Sequence, residues 1–225
     1  MKKLKSSLPN MLLSLTGFCI VVSAALGMMN EITKEPIAKA EVDAKVTAIK
    51  QVVNAFDNNP YEERFEVDVD GAKLTVFPAK KGQEIVGYAV ESYTDKGFSG
   101  KFTVMYGFDM DGKIHDFSVL SHSETPGLGA KMQEWFRTPA KKEGLIQDVR
   151  GVQMSDTPLT VSKDGGQVDA ITAATISSRA FLDAMDRAYR GFKAAQGSAG
   201  QAQESVEAAP ADSTINTNTD NTEAQ

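Results

Sequence analysis

The 225-residue chain has one cysteine, Cys19, two histidines, His115 and His122, and one tryptophan, Trp135. A single thiol makes no intrachain disulfide, no Cys-based zinc site and no Cys-ligated iron–sulfur cluster. With only two histidines neither a His-rich metal site nor a bis-His haem is expected, and no metal site is expected. Positive charge is short as well: 24 Lys and Arg against 30 Asp and Glu give a net charge of −6 and a pI near 5.1, which argues against a nucleic-acid partner. The shortage is sharpest at the end. Residues 197–225 carry five acids (Glu204, Glu207, Asp212, Asp220 and Glu223) and no Lys or Arg, so only about −1 of the net charge belongs to the rest. That stretch also lacks aromatics and has few aliphatics. It cannot bury enough to offset its ordering entropy, and it reads as a disordered acidic tail. There is no internal repeat.

What is present begins with a hydrophobic run. Lys2, Lys3 and Lys5 precede Met11 to Met29, 19 residues without a charge. That is close to the roughly 20 residues a helix needs to span a bilayer. The lysines belong on the cytoplasmic side, which sends the rest of the chain outward. Ser23-Ala24-Ala25 offers an alternative, a cleaved signal peptide, but the run is longer than an ordinary h-region and favours an uncleaved anchor. Lipobox processing is disfavoured by Phe18 before Cys19.

Residues 31–56 read as a helix leaving the membrane, with Pro36 in its first turn and Val42, Val46, Ile49, Val53 and Phe56 on one apolar stripe. From Phe65 the period changes to two. Strands are expected at Phe65–Val69, Lys73–Phe77, Ile85–Tyr93, Lys101–Phe108 and Lys113–Leu120, with an Asp70-Gly71 hairpin turn. Lys131–Arg137 reads as a short helix in which Trp135 and Phe136 anchor the core. Short strands are expected at Val149–Met154 and Leu159–Ser162. Ile176, Ala180, Phe181, Met185, Ala188 and Phe192 mark one face of a last helix. The fold class is α+β: a mostly antiparallel sheet with flanking helices, preceded by one N-terminal transmembrane helix. The boundaries are 1–30 for the anchor, 31–196 for the folded domain and 197–225 for the tail.

Two stretches carry chemistry. Asp169-Ala170-Ile171-Thr172-Ala173-Ala174-Thr175 joins an apolar run to the last helix. Asp, Ser and Thr cap helix N-termini, and simple capping accounts for the pattern. The same helix start has unpaired N–H groups and partial positive charge, which also suits a phosphate, though on spacing alone capping is the commoner reason for such a pattern. Upstream lies His122-Ser123-Glu124-Thr125-Pro126-Gly127-Leu128-Gly129, either an ordinary turn or a wall against a flat ligand. Gly127 and Gly129 let backbone come close, Glu124 and Thr125 offer polar contacts, and Leu128 an apolar one. His122 reads as a loop histidine without a redox role.

Asp169-x-x-Thr172-Ala173-Ala174-Thr175 resembles the Asp-x-x-(Ser/Thr)-(Gly/Ala)-Ala-Thr flavinylation motif of the FMN-binding domain family. The middle position, here Ala173, is often Gly in that motif. The loop at 122–129 is similar to the family's His-x-Glu-Thr-Pro-Gly-Leu-Gly segment, which lines the flavin, and the two matches fall in the family's order about 45 residues apart. The family includes the G subunit of Rnf-type ion-translocating complexes and the C subunit of the Na+-translocating NADH:quinone reductase. The resemblance covers about residues 1–195. It implies FMN held as a phosphoester on Thr175, installed from FAD by a flavin transferase, with Asp169, Thr172, Ala173, Ala174, Glu124, Thr125, Gly127 and Leu128 around it. It further implies an electron relay without independent catalysis: a single-pass subunit of an Rnf-type ferredoxin:NAD+ oxidoreductase in the cytoplasmic membrane, its domain on the outer side and other membrane subunits as partners. The alternatives are the quinone-reductase C subunit, a flavin domain serving another reductase, and a flavin-free exported binding domain.

Overall fold

The computed structural model describes residues 7–207. Lys2, Lys3 and Lys5 and the tail after Glu207 lie outside the described residues. Helix α1 spans Leu8–Val52 and is followed by five strands, β1 (Phe65–Val69), β2 (Ala72–Lys81), β3 (Glu84–Gly97), β4 (Gly100–Asp109) and β5 (Ile114–Ser121). A short helix α2 (Met132–Trp135) and a long helix α3 (Thr175–Glu207) complete the order.

The anchor and the exit helix, expected as two elements, are one. Straight-chain and small residues carry α1 through 45 residues, and Pro36 sits inside it instead of in a first turn. At 1.5 Å per residue the helix is about 68 Å long. Its N-terminal part is long and apolar enough to cross a membrane once, and none of that window is buried within the protein. Helix α1 stops at Val52; Val53 turns extended, and its N–H closes the last turn on the Ile49 carbonyl at 3.3 Å. Phe56 therefore lies beyond the helix.

The strands form a meander in the order β1-β2-β3-β4-β5, every neighbour antiparallel. The Asp70-Gly71 turn joins β1 to β2 with both residues at positive φ, as hairpin geometry demands. Alternation along β4 sends Phe102, Val104, Tyr106 and Phe108 to one face, where α3 covers them, and Met105 to the other, where the end of α1 lies. The α3 side holds the main core. Phe181 stacks on Phe136 at 4.4 Å between ring centroids and meets Phe117 edge-on at 5.0 Å. Tyr106 is buried with its hydroxyl donating to the Phe181 carbonyl at 2.9 Å. Ala180, Phe181, Met185, Ala188 and Phe192 are buried as the helical stripe predicts; Ile176 is 48% exposed and is not part of it.

The α1 side is smaller: Ala48, Ile49, Val52 and Val53 pack on Phe77, Ala79, Ala89 and Met105. Close approach depends on Gly107, where a Cβ would stand 1.7 Å from the Val52 carbonyl oxygen. Lys45 adds an ion pair to Glu91 at 2.9 Å.

Between α2 and α3 the two expected short strands do not form. Val149–Met154 and Leu159–Ser162 contribute only isolated bridges, Lys113 with Gln153 and Val161 with Val168. Their backbone groups are satisfied locally, as by the Gly151 N–H on the Ile114 carbonyl at 2.7 Å, so the chain wraps the core without laddering. Trp135 is half-buried, its indole N–H donating to the Asp169 carbonyl at 2.9 Å, while Phe136 is the buried anchor. Helix α3 continues past residue 197, where the sequence suggested the tail begins, to Glu207.

Gly107→Ala is expected to push α1 off the sheet and to cost about 1–3 kcal/mol of overpacking strain, read as a lowered denaturation midpoint of the full chain. A second expectation concerns acid. Burial alone would raise the Asp183 carboxyl, but hydrogen bonds from Lys96 and Thr94 and the charges of Lys96 and Arg187 hold it below its ordinary 3.8. Its contribution is therefore full above about pH 4 and lost as pH falls through the lowered value, so acid unfolding should begin at higher pH in Asp183→Asn, which lacks that charge.

Candidate functional site

A cleft of about 280 Å³ opens where the β3–β4 hairpin, the 124–129 loop and the first turn of α3 meet. Its lining comprises Phe98, Glu124, Thr125, Leu128, Gly129 and residues 173–177. Seven residues singled out from sequence thus come together: Glu124, Thr125, Leu128, Gly129, Ala173, Ala174 and Thr175. Asp169, Thr172 and Gly127 do not line it.

Each side has a physical cause. Gly127 takes φ +79 and makes the tight turn in which the Leu128 and Ala130 N–H groups both reach the Thr125 carbonyl, at 3.1 and 3.3 Å. It shapes the wall without touching the space. Gly129 forms the floor, because a Cβ there would stand 2.4 Å from both Glu124 Oε2 and Ser177 Oγ. Glu124 is 4% exposed: Oε2 accepts from the Ser177 hydroxyl at 2.5 Å and Oε1 from the Ser99 N–H at 3.1 Å. One carboxylate thereby ties the hairpin, the loop and α3 together. Phe98, Leu128 and Ile176 leave apolar surface exposed around the opening.

The motif turn is held from behind. The Asp169 carboxylate accepts from Lys142 at 3.1 Å, its carbonyl accepts from Trp135, and its N–H donates to the Ile146 carbonyl at 2.7 Å. Asp169 therefore fixes the strand-like approach to the turn. With Thr172, Trp135 and Lys142 it lines a separate depression. Ala173 has φ +61, in the left-handed region that costs an L-residue about 1–2 kcal/mol. Glycine enters that region freely.

The hydroxyls of this stretch are not spent on capping. Ser178 Oγ accepts from the Ile171 N–H at 2.9 Å and donates to the Ala174 carbonyl at 3.0 Å. Ser177 serves Glu124, and Thr175 Oγ1 accepts from the Lys163 ammonium at 3.0 Å. The first intrahelical bond runs from the Ser178 N–H to the Ala174 carbonyl, so the N–H groups of Thr175, Ile176 and Ser177 precede the ladder. A hydroxyl, a cation bonded to it and a helix start, beside an apolar rim, suit a ligand that joins a phosphate to a flat ring. The residues present fit FMN.

Sequence reasoning missed Phe98, Gly129 as a floor, Ile176, Ser177 and Lys163. A Lys-Gly-Phe-Ser-Gly hairpin tip gives no chemical signal, and Lys163 stands 12 residues before Thr175 in the chain. His122 is exposed and does not line the cleft.

Residues 97–190 match the model of the FMN-binding domain. The match begins at the β3–β4 hairpin and ends within α3, and so encloses every wall of the cleft. Similarity to whole proteins extends further. The chain is 33% identical over 182 residues to the G subunit of the ion-translocating oxidoreductase complex of Stutzerimonas stutzeri, covering 78% of this chain and 77% of the relative. It is 32% identical over 193 residues to the corresponding G subunit from Shewanella amazonensis, with 81% and 86% covered. Against the G subunit from Methanosarcina acetivorans it is 34% identical over 172 residues, with 75% and 85% covered. The chain belongs to this family, the G subunits of ion-translocating oxidoreductase complexes.

Ser177→Ala should leave Glu124 Oε2 buried without its donor and cost about 1–3 kcal/mol, seen as a lower urea midpoint. Glu124→Gln, which keeps the shape and changes the donor pattern, should lose less than Glu124→Ala in the same titration.

Proposed function

We propose that this chain is the electron-carrier subunit of an Rnf-type ion-translocating ferredoxin:NAD+ oxidoreductase complex, with FMN held covalently through a phosphoester to Thr175. The observation that carries the reading is the Thr175 hydroxyl itself. It stands at the edge of a cleft with an apolar rim, beside a lysine ammonium and ahead of the first bonded turn of a 33-residue helix. The names of the relatives support the assembly, and the matching domain supports the cofactor.

The chain's own residues divide the work. Lys163 and the N–H groups at the start of α3 bind the phosphate end by charge and by hydrogen bonds. Phe98, Leu128 and Ile176 cover the ring and keep water from it. Glu124 locks the walls to one another, and Asp169 locks the turn to the body. When bound, the flavin supplies the ability to take up and release electrons, which no side chain here has. A phosphoester keeps the cofactor in place on a side of the membrane where free flavin is dilute. Helix α1 anchors the chain once in the cytoplasmic membrane, uncleaved, with the lysines inside and the domain outside. Its partners are the other membrane subunits and, during maturation, a flavin transferase.

The test is co-expression of the full chain with its transferase, followed by denaturing gel fluorescence and mass spectrometry of the peptide containing Thr175. The native chain is expected to carry the mass of FMN less one water at that residue. Thr175→Ala should be colourless with an unchanged circular dichroism spectrum. Covalent flavin retained in that variant overturns the assignment.

A further inference from the structure

The turn that precedes the motif presents a cation to the proposed acceptor. Lys163 lies in a 3-10 turn, Ser162–Asp164, closed by Gly165 at φ +84, whose N–H reaches the Ser162 carbonyl at 3.2 Å. The turn is pinned at both sides. The Ser162 N–H donates to the Val168 carbonyl at 2.8 Å, and Gly166 is packed so tightly that a Cβ would meet the Thr160 carbonyl oxygen at 2.1 Å. Across the gap, Arg179 grips Asp164 with two bonds of 2.7 Å. Arg179 is one helical turn after Thr175, so adjacent residues of the turn, 163 and 164, meet adjacent turns of α3. The Arg179 guanidinium holds the Asp164 carboxyl below the usual carboxylate range, so this clamp stays charged at neutral pH.

Asp164 is occupied by Arg179, and among the described residues the Lys163 ammonium forms no ion pair; its bond is to the neutral Thr175 oxygen. A cation directed at a hydroxyl through a rigid turn has a chemical use beyond surface charge. It occupies one lone pair of Oγ1, leaves the other for bonding, and stabilises negative charge as the O–H bond weakens.

We propose that Lys163 is a positioning residue for flavin transfer, orienting and polarising the Thr175 hydroxyl for attack on the pyrophosphate of FAD. This rests on Thr175 being the acceptor. In the step, a bond forms between Thr175 Oγ1 and the phosphorus nearer the flavin, and the bond from that phosphorus to the oxygen bridging the two phosphates breaks. AMP leaves with that oxygen, and the hydroxyl proton passes through the transferase to solvent. No oxidation state changes. The same ammonium then lies beside the single negative charge of the phosphodiester. Arg179 and Asp164 act one step removed, by holding the turn.

The experiment is in vitro flavinylation of the purified full chain in detergent with the transferase and FAD, following covalent fluorescence over time. Lys163 is exposed, so Lys163→Met removes the charge without opening the core. The variant is expected to lower kcat for transfer roughly tenfold or more while KM for the acceptor chain changes little. Lys163→Arg, which restores the cation and a donor, should recover most of the rate. Equal kcat for Lys163→Met and the native chain overturns the inference, as does Lys163→Arg behaving like Lys163→Met while both keep the native melting curve. A native chain that is not modified at Thr175 overturns the acceptor reading instead, so the two failures are separable.

Discussion

A buried carboxylate with two neutral donors holds the cleft in shape. Among the described residues Glu124 forms no ion pair; the Ser99 N–H and the Ser177 hydroxyl satisfy its two oxygens. A buried carboxyl in that position is tolerated only while both donors remain, because an unpaired buried acceptor costs far more than the pair contributes. The hairpin tip, the proline–glycine loop and the first turn of α3 therefore cannot drift independently. Gly97 and Gly129 are part of the same constraint, since a Cβ at either would collide with the Glu124 carboxylate. The rim residues Phe98 and Ile176 inherit their positions from it.

Much of the sheet was legible because alternation and turn chemistry act locally. Phe65, Val67 and Val69, the Asp70-Gly71 turn and the β4 pattern each specify a face without help from distant residues. The aromatic stripe of α3 was legible for the same reason. Fused α1 was not, because proline is favoured in a first turn and costly in a helix interior, so Pro36 reads locally as a start. The wrap from Arg137 to Ala174 was not legible either. Val149–Met154 has strand composition, yet its backbone finds partners one at a time on Ile114, Gly112 and Phe136. Tertiary context decided there.

The site divides in a similar way. The motif points to Thr175, and the loop to Glu124, Thr125 and Leu128, because those residue types carry a chemical meaning in sequence, and all four line one cleft. Asp169 and Thr172 belong to the same stretch but do not line the cleft; Asp169 fixes the approach to the turn, and Thr172 is exposed. At Ala173 the backbone is left-handed, a conformation glycine enters freely and a side chain adopts at a cost. Lys163 and Ser177 acquire meaning only once the chain is folded, when they stand next to Thr175 and Glu124.

Helix α1 runs without interruption from its apolar end into the sheet, and its last turn is buried against Phe77, Ala89 and Met105. Tilt of the bilayer-facing half is thereby transmitted to the domain as in a lever, with no pliable neck between them. The one joint in that lever is Pro36, which cannot donate the hydrogen bond a helical residue would give to the Ile32 carbonyl. The radius swept by the cleft about its membrane foothold is accordingly set by helical rise, and insertion or deletion of a few residues between Met29 and Val46 would rotate the whole domain by about 100° per residue.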